Sequence, residues 1–202
     1  MKKIFILVSA FILLSISCGD DTTGPGGGGS DYPDKVTEYI ASSLYSTVDI
    51  CILPNGEYMY VSHNYNEGVF VIRTSDYSVV TTVDVGYFSK GLDVLPTGDY
   101  VYVVNSVSND VYIIRTSDNT VTSTIDGFSR PNDLAILPSG EFVYVTNFDG
   151  NNVSIIQTSD NTVVGTIDVG SSPDGIAVHP NGNYLYVANN SSNSVSVIRT
   201  SD

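Results

Sequence analysis

Apolar residues come in short runs along most of this chain. Between 161 and 202 those runs read TVVGTIDV, GIAVHP, YLYVAN and SVSVIRT. Each is rich in Val, Ile, Thr and Tyr and alternates in part between apolar and polar positions, as strands with one buried face do. Turn formers separate them: Pro-x-Gly, Asn-Gly and Ser-Asp-Asn. Past the N-terminal segment, no stretch carries a helical period. The pattern predicts an all-β domain.

The runs recur at a fixed interval. RTSD stands at 73–76, 115–118 and 199–202, with QTSD at 157–160, while LPNG, LPTG, LPSG and HPNG begin at 53, 95, 137 and 179. Both series step by 42, and residues 119–160 match 161–202 at 21 of 42 positions without a gap. Four short strands in a unit of this length are the mark of a propeller blade. The fold expected is a β-propeller of four-stranded antiparallel blades, built from four 42-residue repeats at about 35–76, 77–118, 119–160 and 161–202.

The strings YVTN (144–147), YVAN, PDGIAVHPNG and NTVVGTIDVG resemble the YVTN-type β-propeller repeats of bacterial and archaeal surface proteins. The likeness covers roughly 36–202. It implies that the PDGIAV strand is innermost in its blade and the NTVVGTI strand outermost. On that assignment the chain stops after three strands of its fourth blade. KVTEYIAS (35–42) is a spare outer-type strand, and pairing it with the last blade would close a four-bladed ring and remove exposed edges. A truncated chain and half of an eight-bladed dimer are the alternatives. Family members include surface-layer and lactonase-like proteins, so the resemblance leaves function open.

The first residues give an address. MKKIFILVSAFILLSISC joins two lysines to an apolar run too short for a comfortable span, the form of a secretion signal over 1–17. Ser17-Cys18 resembles the lipobox of bacterial lipoproteins, although Ser15 stands where leucine is preferred. That resemblance implies lipid attachment at Cys18 and an outer membrane lipoprotein, periplasmic or surface-facing. Residues 18–34, Gly-rich and polar, read as a flexible tether. The other cysteine, Cys51, sits in an apolar alternation and is expected as a buried, inert thiol.

Charge excludes one class of partner. With 22 acidic and 8 basic residues the chain has a net charge of −14, which repels phosphate backbones, so no nucleic acid is expected. The loops split into a constant set (LPxG and TSD turns) and a variable set at the opposite end of the strands, where binding is expected. The candidate ligand-binding residues are Tyr65, Tyr87, Phe88, Lys90, Phe128, Arg130, Asn132, Phe148 and Asp174. Val48, Lys90, Asn132 and Asp174 are equivalent by the repeat and would ring the channel mouth, a cation, an amide and a carboxylate suited to a small polar ligand. Phe128 and Phe148 packed between blades is the competing reading.

Catalytic motifs are sparse. His63 falls on the variable face and His179 on the other, too far apart to share a metal; no Gly-x-Ser-x-Gly elbow occurs. Asp84, Asp126 and Asp168 recur at outer-strand ends as loop caps. DGNN (149–152) offers calcium ligands without a complete loop pattern, so no cofactor is predicted beyond a chance of calcium. The function expected is a non-catalytic binding module, exported and lipid-anchored, for a glycan, peptide or protein. The alternatives are a lactonase-like, metal-dependent hydrolase and a structural envelope component.

Overall fold

The computed structural model describes residues 44, 46–64, 68–86 and 88–201. Every regular element among them is a strand. Blade 1 comprises β1 (Thr47–Ile52), β2 (Tyr58–His63), β3 (Val69–Arg73) and β4 (Val79–Val83). Blade 2 comprises β5 (Ser89–Val94), β6 (Tyr100–Asn105), β7 (Asp110–Arg115) and β8 (Thr120–Asp126). Blade 3 comprises β9 (Pro131–Ile136), β10 (Phe142–Asn147), β11 (Asn152–Gln157) and β12 (Thr162–Asp168). Blade 4 has β13 (Pro173–Val178), β14 (Tyr184–Asn189) and β15 (Ser194–Arg199). Within each blade the strands pair antiparallel in chain order. The chain has a β-propeller plan, and its blade is one strand out of phase with the sequence repeat.

The first strands pack in series, β1 on β5, β5 on β9 and β9 on β13, and so form the channel wall. The core lies in the joints between blades. Cys51, Tyr60, Val69 and Val71 of blade 1 meet Leu92, Val101, Val103 and Ile114 of blade 2. Tyr102, Val104, Val111 and Ile113 of blade 2 meet Leu134, Ile136, Val143, Val145 and Ile156 of blade 3. A third cluster joins Tyr144 and Val153 to Leu185, Val187 and Ile198. Alternation along each strand therefore feeds two joints, one from each face of the sheet.

Polar contacts repeat with the blades. The Tyr60 hydroxyl donates to Asn119 Oδ1 at 2.5 Å, and the Tyr102 hydroxyl donates to Asn161 Oδ1 at 2.6 Å. Thr74, Thr116, Thr158 and Thr200 each donate from Oγ1 to the carbonyl of the LPxG or HPNG glycine, at 2.6–2.7 Å. Gly98, Gly140 and Gly182 adopt φ of +82°, +74° and +77°, and the proline of the preceding blade (Pro54, Pro96, Pro138) lies where a Cβ would begin to crowd. The left-handed φ, more than the space, is what favours glycine there.

The expected closed ring is not what forms. The four blades make an open arc among the described residues: Ile50 and Ile52 on blade 1, and Tyr186, Val195 and Val197 on blade 4, are exposed. β13 does not pack on β1 as neighbouring first strands pack on each other. The proposed closing strand, 35–42, and the signal and tether lie outside the described residues.

Candidate functional site

Every first strand is interrupted at the same place. The pairing Thr47 with His63 shifts before Ile50 with Val61, and the same slip occurs at 90–91, 132–133 and 174–175. Two residues of the first strand oppose one of the second, which is a β-bulge. A bulge bends the strand and re-aims side chains, and here it turns Val48, Lys90, Asn132 and Asp174 toward one concavity of about 300 Å³. Asp49, Gly91, Asp133 and Gly175 complete its lining. The four repeat-equivalent positions are brought together, and the Asn132 amide donates to Asp174 Oδ1.

The second bulge residue ties the blades together. Asp49 accepts from its own neighbour's N–H (Ile50, 2.8 Å) and, through its other oxygen, from Leu92 N–H on blade 2 at 2.9 Å. Asp133 does the same with Leu134 at 2.8 Å and Ile176 on blade 4 at 3.0 Å. Between blades 2 and 3 the role moves two residues along the strand, to Asp93, which accepts from Val94 and Ile136. Opposite the bulge, Ser62 donates to the Lys90 carbonyl at 2.6 Å and Thr146 donates to the Asp174 carbonyl at 2.9 Å. Val104 and Ala188 hold the equivalent places in blades 2 and 4.

Burial sets the electrostatics of this wall. Desolvation pushes Asp133 up to about 6, against the pull of the N–H groups of Ile176 and Leu134, and the charges of Asp49 and Asp174 add to the rise. Asp93 is raised by the same cause. A carboxylate inside a wall of carboxylates binds a proton more readily than one in water.

The remaining candidates scatter. Phe88 is exposed at the rim, with φ of +62°, and Arg130 occupies the equivalent position with φ of +51°. A bulky residue in the left-handed region is uncommon and marks a locally constrained loop. The Arg130 guanidinium lies 4.9 Å from the centre of the Phe148 ring and 3.5 Å from Asp149, forming an exposed platform. Phe128 is withdrawn from the surface: it packs in the joint between blades 2 and 3. Tyr65 and Tyr87 lie outside the described residues.

His63 is not on the variable surface. It is fully buried and stacks on Phe70 with ring centres 4.5 Å apart, and burial lowers its pKa. Its equivalents Asn105, Asn147 and Asn189 are buried too, and Asn147 Oδ1 accepts from Ser129 N–H at the loop end. Asp84 accepts from Gly86 N–H, a loop cap. Burial, reinforced by Asp93 and Asp49, pushes the Cys51 thiol up and leaves it unreactive.

A divalent cation fits this wall poorly. Among the described residues no three His, Cys, Asp or Glu side chains come together as a metal site. Both oxygens of Asp49 and of Asp133 are already engaged by backbone N–H groups, and the cationic residue Lys90 shares the lining.

Comparisons with known proteins agree on the fold. The family "Lactonase, 7-bladed beta-propeller" matches residues 118–202, blades 3 and 4 with their bulges. No curated protein matches the chain. Among solved structures, Kuenenia stuttgartiensis hydrazine synthase is similar at TM-score 0.69 and 20% identity, over 83% of this chain and 53% of its own. A 6-phosphogluconolactonase candidate from Bacteroides uniformis is similar at 0.67 and 19%, over 76% of this chain and 50% of its own. A protein of unknown function from Desulfotomaculum acetoxidans gives 0.65 and 20%, over 76% and 55%. At these identities the likeness is one of fold. The chain spans about half the length of each neighbour, and the matching family counts seven blades where this chain supplies four.

Proposed function

We propose that the bulge-lined channel mouth binds a small polyhydroxylated cyclic ester and that the protein acts on it as a lactonase-like hydrolase. One observation carries the reading: four equivalent bulge positions aim an ammonium, an amide and a carboxylate into one concavity of about 300 Å³, a volume suited to a single sugar-sized ring. The lactonase family match over 118–202, which includes Asn132, Asp133 and Asp174, supports it.

The chemistry asks for three things. Lys90 faces the ester carbonyl oxygen and holds the negative charge that develops there. Asp174, oriented by the Asn132 amide, takes a proton from the attacking water. Water oxygen bonds to the carbonyl carbon, the ring C–O bond breaks, and the proton held by Asp174 passes to the leaving ring oxygen as it becomes a hydroxyl. The acid product then ionises. Asp133 positions the strand and takes no part in bond making. A net charge of −14 disfavours phosphorylated substrates, so the ligand expected is an uncharged lactone. The N-terminal lysines, apolar run and Ser17-Cys18 support delivery to the cell envelope on a lipid anchor.

A second reading, capture without turnover, is favoured by the Arg130–Phe148 platform at the rim, a surface suited to glycans and peptides. Proton release from δ-gluconolactone, followed above its spontaneous rate, separates the two. Turnover abolished by Asp174→Asn and by Lys90→Gln, with the fold intact, is the expected result. Saturable lactone binding without turnover would leave capture standing. Neither binding nor turnover would remove the site.

A further inference from the structure

His179 belongs neither to the core nor to the channel mouth. It opens the HPNG turn, where the other three units carry Leu53, Leu95 and Leu137. Its Nδ1 lies 2.7 Å from Asn181 Oδ1 and 3.2 Å from the Asn181 backbone nitrogen. Nδ1 gives a proton in the first contact and takes one in the second, so the two alternate as the ring changes tautomer or charge. Asn183 N–H donates to the same Asn181 Oδ1 at 3.0 Å, which fixes the amide with its oxygen toward the ring. The shorter contact is an imidazole N–H donating to an amide oxygen.

The residue after Asn181 gives that contact a chemical use. Gly182 has no side chain to hinder its backbone nitrogen as it approaches the Asn181 amide carbon. Asn181 is exposed, so water reaches it.

The chain carries its own control. Asn-Gly occurs twice, at 55–56 and 181–182. Both glycines are left-handed, at φ of +74° and +77°, and both donate at 2.7 Å to the carbonyl of the first turn residue, Leu53 or His179. In both turns the asparagine Oδ1 accepts from the N–H two places on, at 3.0 Å. The side chains around the amide are what differ. Asn55 Nδ2 donates to the Glu57 carboxylate at 3.0 Å, and a leucine stands where His179 would be. A carboxylate beside an amide opposes negative charge on its oxygen, whereas a proton donor on that oxygen favours it.

We propose that Asn181 is a self-modification site whose deamidation His179 promotes. The Gly182 N–H first leaves the His179 carbonyl. The Gly182 nitrogen then bonds to Asn181 Cγ and gives its proton to water, while His179 Nδ1–H protonates the amide oxygen. The bond from Cγ to the side-chain nitrogen breaks, that nitrogen takes a proton from water and leaves as ammonia, and the oxygen returns its proton to Nδ1. A five-membered cyclic imide remains. One water opens it at either carbonyl, to an aspartate or an isoaspartate at position 181. The net exchange is water for ammonia, with nothing oxidised or reduced. Isoaspartate lengthens the backbone before Gly182, whose carbonyl accepts from Thr200 at 2.6 Å and which sits beside Pro138 of blade 3, so the modified turn loosens both contacts. The inference does not depend on what the channel mouth binds.

The purified full chain, aged at physiological temperature in neutral buffer and mapped by peptide mass spectrometry, tests it. Conversion of Asn181 to aspartate and isoaspartate is expected to outrun that of Asn55 by about tenfold or more. His179→Leu installs the residue of the other three turns and is expected to bring position 181 down to the rate of position 55. Asn183→Glu gives this turn the carboxylate of Glu57 and is expected to slow it in the same direction. In concentrated urea the two sites age alike, because the imidazole contact is lost with the fold. Equal rates at 55 and 181 in the folded chain overturn the proposal. So does a rate at 181 that His179→Leu leaves unchanged or raises, or a difference between the sites that persists in urea.

Discussion

The two ends of the blades reverse the chain between the same strands with different chemistry. At the turn end, the left-handed positions are filled by Gly56, Gly98, Gly140 and Gly182, a threonine donates to each glycine carbonyl, and Asp76, Asp118 and Asp160 accept from the residues two places on. At the loop end, the equivalent left-handed positions hold Ser46, Phe88, Arg130 and Ser172. After the TSD turns, Tyr77, Asn119 and Asn161 are left-handed as well, so both ends hold one unfavoured bulky residue or more: Tyr77 at the turn end, Phe88 and Arg130 at the loop end. What separates the ends is constancy, since the turn end repeats its glycine, threonine and aspartate contacts in blade after blade and the loop end does not.

The sharpest break of that contrast is a side chain at a turn-end glycine. Gly140→Val forces a β-branched residue to φ of +74° against Pro96, and a loss of about 2–3 kcal/mol in denaturant unfolding is expected. An unchanged midpoint would show that the turn end is not the scaffold.

Acid separates the ends by sign. Burial raises Asp133 to about 6, above the unfolded value near 3.9, so its ionisation opposes folding. Stability therefore increases as pH falls from 7 through 6 toward 4, by about 2 kcal/mol from this group. At the turn end, hydrogen bonds from Arg115 and Thr120 lower Asp118 to about 2, and Asp76 is lowered by Ser78. Their contribution is present at neutral pH and is lost below about 4, where they begin to protonate. Melting curves should pass through a maximum near pH 4. A steady fall from pH 7 would contradict the buried state of Asp133.

The smallest effect belongs to the rim. Arg130→Ala removes an exposed ion pair and a ring contact, and stability is expected to change by less than about 0.5 kcal/mol. Any lactone or glycan binding should change far more. A loss above 1 kcal/mol would make Arg130 part of the scaffold after all.

The repeat was legible because blades reuse their residues: Pro-x-Gly, TSD and the Val/Ile/Tyr runs fall at one interval, and the sheets follow them. The equivalence of Val48, Lys90, Asn132 and Asp174 was legible for the same reason. The bulge was not, since one extra residue in a strand leaves no mark in an apolar alternation already irregular at Asp49-Ile50 and Lys90-Gly91. Nor were the carboxylate ties. Asp49, Asp93 and Asp133 look like solvated acids until the next blade's N–H is set beside them, and Asp93 breaks the repeat that could have exposed the pattern. His63 was misplaced because it turns onto Phe70 of its own blade rather than outward, and for Phe128 the competing reading, packing between blades, is the one that holds. The closed ring failed on packing between the first and last blades, which no residue of the repeat declares by itself.

Cys51 carries a last consequence. Its thiol is shut inside the first joint, between the sheet that begins the arc and the one after it. Labelling by a thiol-directed reagent requires those two sheets to part, so its rate is a clock for how often neighbouring blades breathe, built into the chain at a place where no probe need be engineered.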